Sequence, residues 1–230
     1  MSDKFNPASR ARVTQHDLGR FPGNTLFDRV GRAVCEAGCL PRKELFEAWA
    51  VAKRVRRLFH GGRIVDLGAG HGLLAQLMLL LDESSASAVV VDSGIPASAE
   101  KVHQALVSAW PRLAGRVEFL RRSMDAVPIL PDDIVVSSHA CGRLTDVVLD
   151  RALSARARVA VLPCCHDLGA CDTGDLDGWM DGALAVDVMR ANRLRSERYR
   201  VWTLAIPAAI TPKNRLLLGM PADQAAAKSM

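Results

Sequence analysis

The sequence predicts an α/β protein with a Rossmann-like, mostly parallel seven-stranded sheet, helices on both faces and an N-terminal helical extension. Three observations carry this expectation. Short β-rich apolar runs alternate with helical segments from residue 61 onward, a glycine-rich turn joins the first run to an apolar helix, and a short loop separates the last two runs. Alternation of this kind is the mark of a parallel sheet with right-handed crossovers.

The strands are expected at 63–67, 88–92, 117–120, 133–138, 157–162, 200–206 and 215–220, with helices at 73–81, 97–109, 144–154 and 183–195. Because only a short loop joins the last two strands, the final one is expected to run antiparallel. Ahead of this rhythm, one helix is expected around 26–37. A second begins near Pro41, which suits a first helical turn. In it Leu45, Trp49, Ala52, Val55 and Leu58 or Phe59 recur at helical spacing until Gly61-Gly62. The expected organisation is a basic, mainly helical extension (1–60), a main domain (61–221) and a disordered tail (222–230) in which alanine dominates.

At 230 residues and 49% apolar, the chain suits one sizeable core. Its longest apolar runs, such as Leu77 to Leu81, fall far short of the roughly 20 residues that span a bilayer, so no membrane partner is expected. The N-terminal Met1-Ser-Asp-Lys-Phe-Asn-Pro lacks the apolar centre of a secretory signal, which predicts a cytoplasmic protein. Six cysteines, two of them adjacent, do not form the framework of a disulfide-stapled domain and are expected as free thiols. Charge is uneven: residues 1–65 hold 13 Lys and Arg against 6 Asp and Glu, and the remainder 17 against 19. A basic N-terminal segment fits a polyanionic partner such as RNA, and equally a pair of solvated helices.

The first strand, Arg63-Ile-Val-Asp66-Leu, runs into Gly68-Ala-Gly70-His-Gly72 and then into the apolar helix from Leu73. Glycines let a backbone turn sharply and approach a ligand, and the next helix N-terminus favours an anionic group. A dinucleotide fingerprint needs a small third residue where this chain has Leu73, whereas Asp-x-Gly-x-Gly-x-Gly is the form that binds S-adenosyl-L-methionine (SAM). Asp66 is then expected at the methionine ammonium, directly or through water, and the carboxylate of that moiety at the helix N-terminus. Asp92, ending the second strand, is expected at the ribose hydroxyls. Asp125 follows the third strand, either as acceptor for the adenine amino group or as a helix cap.

Ligands of this fold lie at the carboxyl ends of the strands. The fourth strand ends in Ser138-His139-Ala-Cys141-Gly142 and the fifth in Pro163-Cys164-Cys165-His166. These five polarisable side chains are expected beside the methyl to be transferred. His139 is the candidate base, or else it shapes the pocket floor through a backbone bond. The cysteines admit three readings: buried small hydrophobes, a zinc site with His139, His166 and nearby Cys171, or a nucleophile adding to a pyrimidine. No C-x₂-C pair announces zinc, so no metal is assigned, and the Asp-Ala/Pro-Pro-Cys motif of RNA cytosine-5 methyltransferases is absent. Asp187 and Arg190 are expected to form a surface ion pair. Lys213, Asn214 and Arg215, between the last two strands, are either an anion grip or a simple turn.

These motifs, together with Leu40-Pro-Arg-Lys-Glu-Leu-Phe-Glu-Ala-Trp49 and Ile210-Thr-Pro-Lys-Asn-Arg215, resemble a bacterial family of SAM-dependent methyltransferases from about Leu40 to Gly219. The His-x-Cys-Gly and Cys-Cys-His elements are also similar to those of a broader family that includes eukaryotic tRNA ribose 2′-O-methyltransferases, whose zinc-finger segments have no counterpart here. The resemblance implies a class I methyltransferase fold with His139, Cys141, Cys164, Cys165 and His166 bordering the acceptor site. Three functions are carried forward: methyl transfer to RNA, methyl transfer to a protein or small molecule, and a noncatalytic module that binds SAM or zinc.

Overall fold

The computed structural model describes residues 5–227. Its strands are β1 (Ile64–Leu67), β2 (Ala88–Val91), β3 (Val117–Leu120), β4 (Ile134–Ser137), β5 (Arg158–Val161), β6 (Tyr199–Ala205) and β7 (Arg215–Pro221). They form a seven-stranded sheet in the order β3-β2-β1-β4-β5-β7-β6. The first five strands are parallel, and β7 inserts antiparallel between β5 and β6. This is the expected Rossmann-like sheet, and its strands depart from the expected ones by a residue or so at their ends, where pairing frays.

Helices α1 (Leu26–Ala37), α2 (Arg42–Val55), α3 (Leu73–Leu81), α4 (Ala99–Ala109), α5 (Arg143–Ser154) and α6 (Gly182–Ser196) complete the layers. Successive side chains of a strand point to opposite faces, and in β1, β2, β4 and β5 both faces are dry. Ile64, Val90, Val136 and Ala160 pack with α2, α3 and α4 on one side, whereas Val65, Val89, Val135 and Val159 pack with α5 and α6 on the other. Val30, Val34, Leu45 and Val51 of α1 and α2 belong to the first cluster, so the N-terminal helices share one continuous core with the sheet.

Local chemistry explains the helix ends near the site. Thr25 caps α1 through a bond from the Asp28 amide, and Gly38 ends it in the left-handed region. The Arg56 guanidinium, just beyond α2, is buried yet fully engaged: it donates to the carbonyls of Met78 and Phe59, to Asp82 at 3.0 Å and to Ser85 Oγ at 2.7 Å. This cation locks α2 onto the α3–β2 connection, and a buried charge of this kind persists only when so satisfied. The stretch expected as a disordered tail instead begins with a short helix, α7 (Ala222–Ala227), whose Ala222 amide bonds Arg198 O at 3.0 Å. Asp223 pairs with Arg156, and Gln224 bonds the Pro131 and Arg156 carbonyls; 228–230 lie outside the described residues.

Gly72 caps α3 at φ 69°, and a Cβ there would lie 2.8 Å from Val90 Cγ1 and 3.1 Å from Phe119 Cε1. Gly72→Ala is therefore expected to destabilise the protein by about 1–3 kcal/mol, the range for overpacking and left-handed strain. Gly19→Ala, with nothing within 4 Å of the added carbon, is expected to stay within about 0.5 kcal/mol of wild type. Denaturant unfolding of the two variants compares them directly.

Candidate active site

The turn leaving β1 takes Gly68, Gly70 and Gly72 through φ values of 65°, 55° and 69°. Gly68 and Ala69 donate to Val91 O at 2.9 and 3.2 Å, which holds the turn against the end of β2. The Gly70 amide donates to Asp92 Oδ2 at 3.0 Å, and the Gly94 amide to Asp92 Oδ1 at 2.8 Å. Asp92 thus pins both sides of a crevice of about 250 Å³ lined by Gly68, Gly70, Asp92, Met124, His139 and Leu144, among others. Partly exposed, its carboxylate keeps lone pairs for a ribose, so the donor set fits the nucleoside end of SAM.

Asp66 does not line this wall. It is fully buried behind the turn, and neither carboxylate oxygen has a partner in hydrogen-bond geometry. Burial pushes its pKa from 3.8 up to about 8, opposed by the Ala75 amide in the first turn of α3 and reinforced by Asp92 and Glu44. The positive end of α3 therefore faces a buried acid. Asp125 is exposed in a short 3₁₀ turn (Met124–Ala126), with no side-chain cap, and its neighbours Ser123 and Met124 line the crevice.

A second wall comes from α2. Glu44 lies 3.1 and 3.2 Å from His71 Nδ1 through its two oxygens, and His71 Nε2 lies 3.0 Å from Ser98 Oγ. With the carboxylate accepting, Nδ1 carries the proton and Nε2 accepts from the Ser98 hydroxyl. Glu44 Oε1 is also 3.9 Å from His139 Nε2. Sequence reasoning missed Glu44, His71, Met124 and Leu144. The available signal was that Glu44 sits inside the Leu40-to-Trp49 motif and His71 inside the glycine turn.

The cysteines and histidines after β4 and β5 separate into distinct groups. Cys141, Cys164 and Cys165 place their sulfurs within 4.8 Å of one another, with Cys141 and Cys164 2.9 Å apart. A backbone bond from Gly142 N to Cys165 O at 3.0 Å joins the two loops, and Lys213 Nζ reaches Cys165 Sγ at 3.8 Å. Burial, then the neighbouring Cys141, pushes the Cys164 thiol up, whereas the Cys141 thiol and Lys213 pull Cys165 down. His139 faces Glu44, outside the sulfur cluster. Cys171 lies against Asp146 and Arg190 instead.

His166 Nε2 bonds Asp187 Oδ1 at 2.8 Å, and Asp187 also receives Arg215 Nε at 2.7 Å and Arg190 at 3.4 Å. Arg190 is itself buried, holding Asp146 through two bonds of 2.8 Å and Gly142 O at 3.0 Å. The Asp187–Arg190 pair is thus part of a half-buried network under the β4 and β5 loops, not a surface pair, because Arg190 is buried and His166 and Arg215 cover the Asp187 carboxylate. Burial opposes ionisation of Asp187, and His166 and Arg215 overcome it, so its pKa is lowered. Asn214 serves its own turn, donating to Ile206 O at 2.9 Å. Of the three loop residues, Lys213 alone approaches the cysteines.

Residues 48–170, more than half of the chain, match a family model described as a methyltransferase domain. The chain belongs to this methyltransferase family. No curated protein matches it in sequence. The mitomycin 7-O-methyltransferase MmcR is a similar solved structure, at 21% identity and TM-score 0.51, covering 91% of this chain and 61% of that one. The pyocyanin biosynthetic protein PhzM aligns at 19% identity and TM-score 0.50, over 90% and 61% of the two chains. The SAM-dependent methyltransferase SibL aligns at 18% and 0.50, over 91% and 66%. The methyltransferase spans less than two thirds of the length of each, and at these identities the likeness concerns the fold. The family match makes it a methyltransferase domain, with a fold like that of the SAM-dependent methyltransferase SibL. Among the described residues, no helix is long and apolar enough to cross a membrane.

The Asp66 environment has a pH consequence. Between its ordinary value and about 8 the folded chain holds a proton that the unfolded chain releases. Its contribution to stability is therefore complete below the ordinary value and lost progressively up to about 8. Denaturant unfolding at pH 5 and pH 8 is expected to show Asp66→Asn losing less stability with rising pH than wild type; equal losses in both proteins contradict the assignment.

Proposed function

We propose that the chain transfers the methyl group of SAM to RNA, with the crevice behind the glycine turn as the donor site. SAM supplies an electrophilic methyl group on a positively charged sulfur. In this reading Asp92 accepts from the ribose hydroxyls, Gly68 and Gly70 allow the backbone to approach the nucleoside, and Met124, Ala140 and Leu144 supply an apolar wall. His139 accepts a proton from the acceptor, and Glu44, 3.9 Å away, stabilises the imidazolium that results. Positioning carries the remainder of the catalysis.

The observation that supports an RNA acceptor is the basic rim of the site. Arg122, on the crevice wall, and Arg143 and Lys213, beside the β4 and β5 loops, are exposed. Lys53 and Arg57 of the α2 segment line a separate pocket with Pro207 and Ile210. The N-terminal charge excess supports the reading less than its size suggests. Arg32 donates to the Phe21 and Gly23 carbonyls, Arg42 stacks over Phe5 and pairs with Asp17, and Arg56 is buried. A second reading, a small apolar acceptor, is favoured by a groove of about 750 Å³ between α6 and the β6–β7 pair, floored by Pro163 next to Cys164. It touches none of the glycine turn and so suits an acceptor, not the donor.

Tritium from labelled SAM is expected to enter RNA from cells lacking this protein, and label confined to protein or small molecules contradicts the proposal. Three rim contacts to a single strand predict a loss of about twentyfold in kcat/KM between 50 and 200 mM salt; a flat response supports the small-molecule reading instead. His139→Ala is expected to lower kcat by about 10²–10⁴-fold while leaving SAM affinity within a few-fold. Asp92→Ala is expected to weaken SAM binding about tenfold or more in calorimetry, the scale of hydrogen bonds to a charged group.

A further inference from the structure

The geometry points to a zinc site at Cys141, Cys164 and Cys165, three thiolates with a fourth position open on the side of the acceptor loops. The three sulfurs come from two loops that a backbone bond, Gly142 N to Cys165 O at 3.0 Å, holds in register. All three lie within 4.8 Å of one another, and no other group of three or more ligating side chains of this kind occurs among the described residues. A tetrahedral zinc with sulfur bonds of about 2.3 Å spaces its thiolates about 3.8 Å apart. The sulfurs, one pair of them 2.9 Å apart and all within 4.8 Å of one another, lie close enough for a single ion to be held between them.

Charge and ligand softness favour the same occupant. Three thiolates around a divalent ion leave one net negative charge, and Lys213 Nζ stands 3.8 Å from Cys165 Sγ to balance it. Thiolate-rich sets select borderline and soft ions over magnesium or calcium. The nearby histidines do not complete a closed structural site, since His166 is committed to Asp187 and His139 lies near Glu44. Cys141 and Cys165 are exposed, so the fourth position opens to water or to an oxygen or nitrogen of an acceptor, the pattern of zinc sites that polarise a ligand. This inference does not depend on the acceptor being RNA, nor on SAM being the donor.

The test uses the full chain, purified without oxygen in a non-chelating reductant and titrated with Zn²⁺ against a chromophoric chelator, and with Co²⁺ as a spectroscopic substitute. One Zn²⁺ per chain and a near-ultraviolet thiolate-to-cobalt charge-transfer band are expected. Cys164→Ser is expected to remove the band and weaken Zn²⁺ binding more than about 100-fold, beyond the range for outer-shell partners. Cys165→Ser, at an exposed position, serves should the half-buried Cys164 prove necessary for folding, and Cys39→Ser is expected to change neither readout. No charge-transfer band, Zn²⁺ uptake unaffected by both Cys164→Ser and Cys165→Ser, or a Cys141–Cys164 disulfide that persists through reduction and excludes the metal, each overturns the site.

Discussion

The turn after β1 needs three left-handed residues within five positions, and Asp92 holds that conformation by accepting the Gly70 and Gly94 amides at once. Most side chains cannot follow this path, and at Gly72 a methyl group would collide with Val90. Much else follows from it. The turn sets where α3 starts, sinks Asp66 beneath the first turn of that helix, and leaves a crevice at the strand ends where the order of the sheet reverses. A nucleoside bound there meets a backbone whose cost of ordering the folded chain has already met.

The N-terminal helices are joined to that crevice by packing and by one acid. Arg56 fixes the end of α2 to the α3–β2 connection, and the other end of the helix delivers Glu44 between His71 and His139. Glu44 bonds His71 of the glycine turn and lies 3.9 Å from His139, so one carboxylate stands between the turn and the end of β4. On the far side, the buried Arg190–Asp187–His166 group supports the loops that carry the cysteines. The site is thus assembled from an extension anchored by Arg56, a glycine turn pinned by Asp92, and two strand ends backed by Arg190.

The sheet was legible in the sequence because its central strands, β1, β2, β4 and β5, are buried on both faces and read as continuous apolar runs, separated by glycines and helical periods. Leu73 after the third glycine pointed away from a dinucleotide fingerprint, and the family match agrees. What was not legible was long-range. Glu44 and His71 are 27 residues apart, and Asp187 meets Arg215 from 28 residues away, so neither pairing leaves a local pattern. Spacing alone read Asp187 and Arg190 as a surface pair because periodicity says which residues are neighbours on a helix, not which face is covered. The start of the tail was misread for a related reason: its alanines carry no amphipathic signal, and α7 is held by Arg156, Arg198 and Pro131, which are remote in sequence.

The claim at the centre of this account is that the Asp92-pinned glycine turn receives the nucleoside of SAM and not a nicotinamide dinucleotide. Calorimetric titration of the wild-type chain with S-adenosylhomocysteine, and separately with NADH, tests it most directly. Saturable one-to-one binding of S-adenosylhomocysteine with no heat from NADH is the predicted result, and preferential binding of NADH, or no binding of S-adenosylhomocysteine, would contradict it.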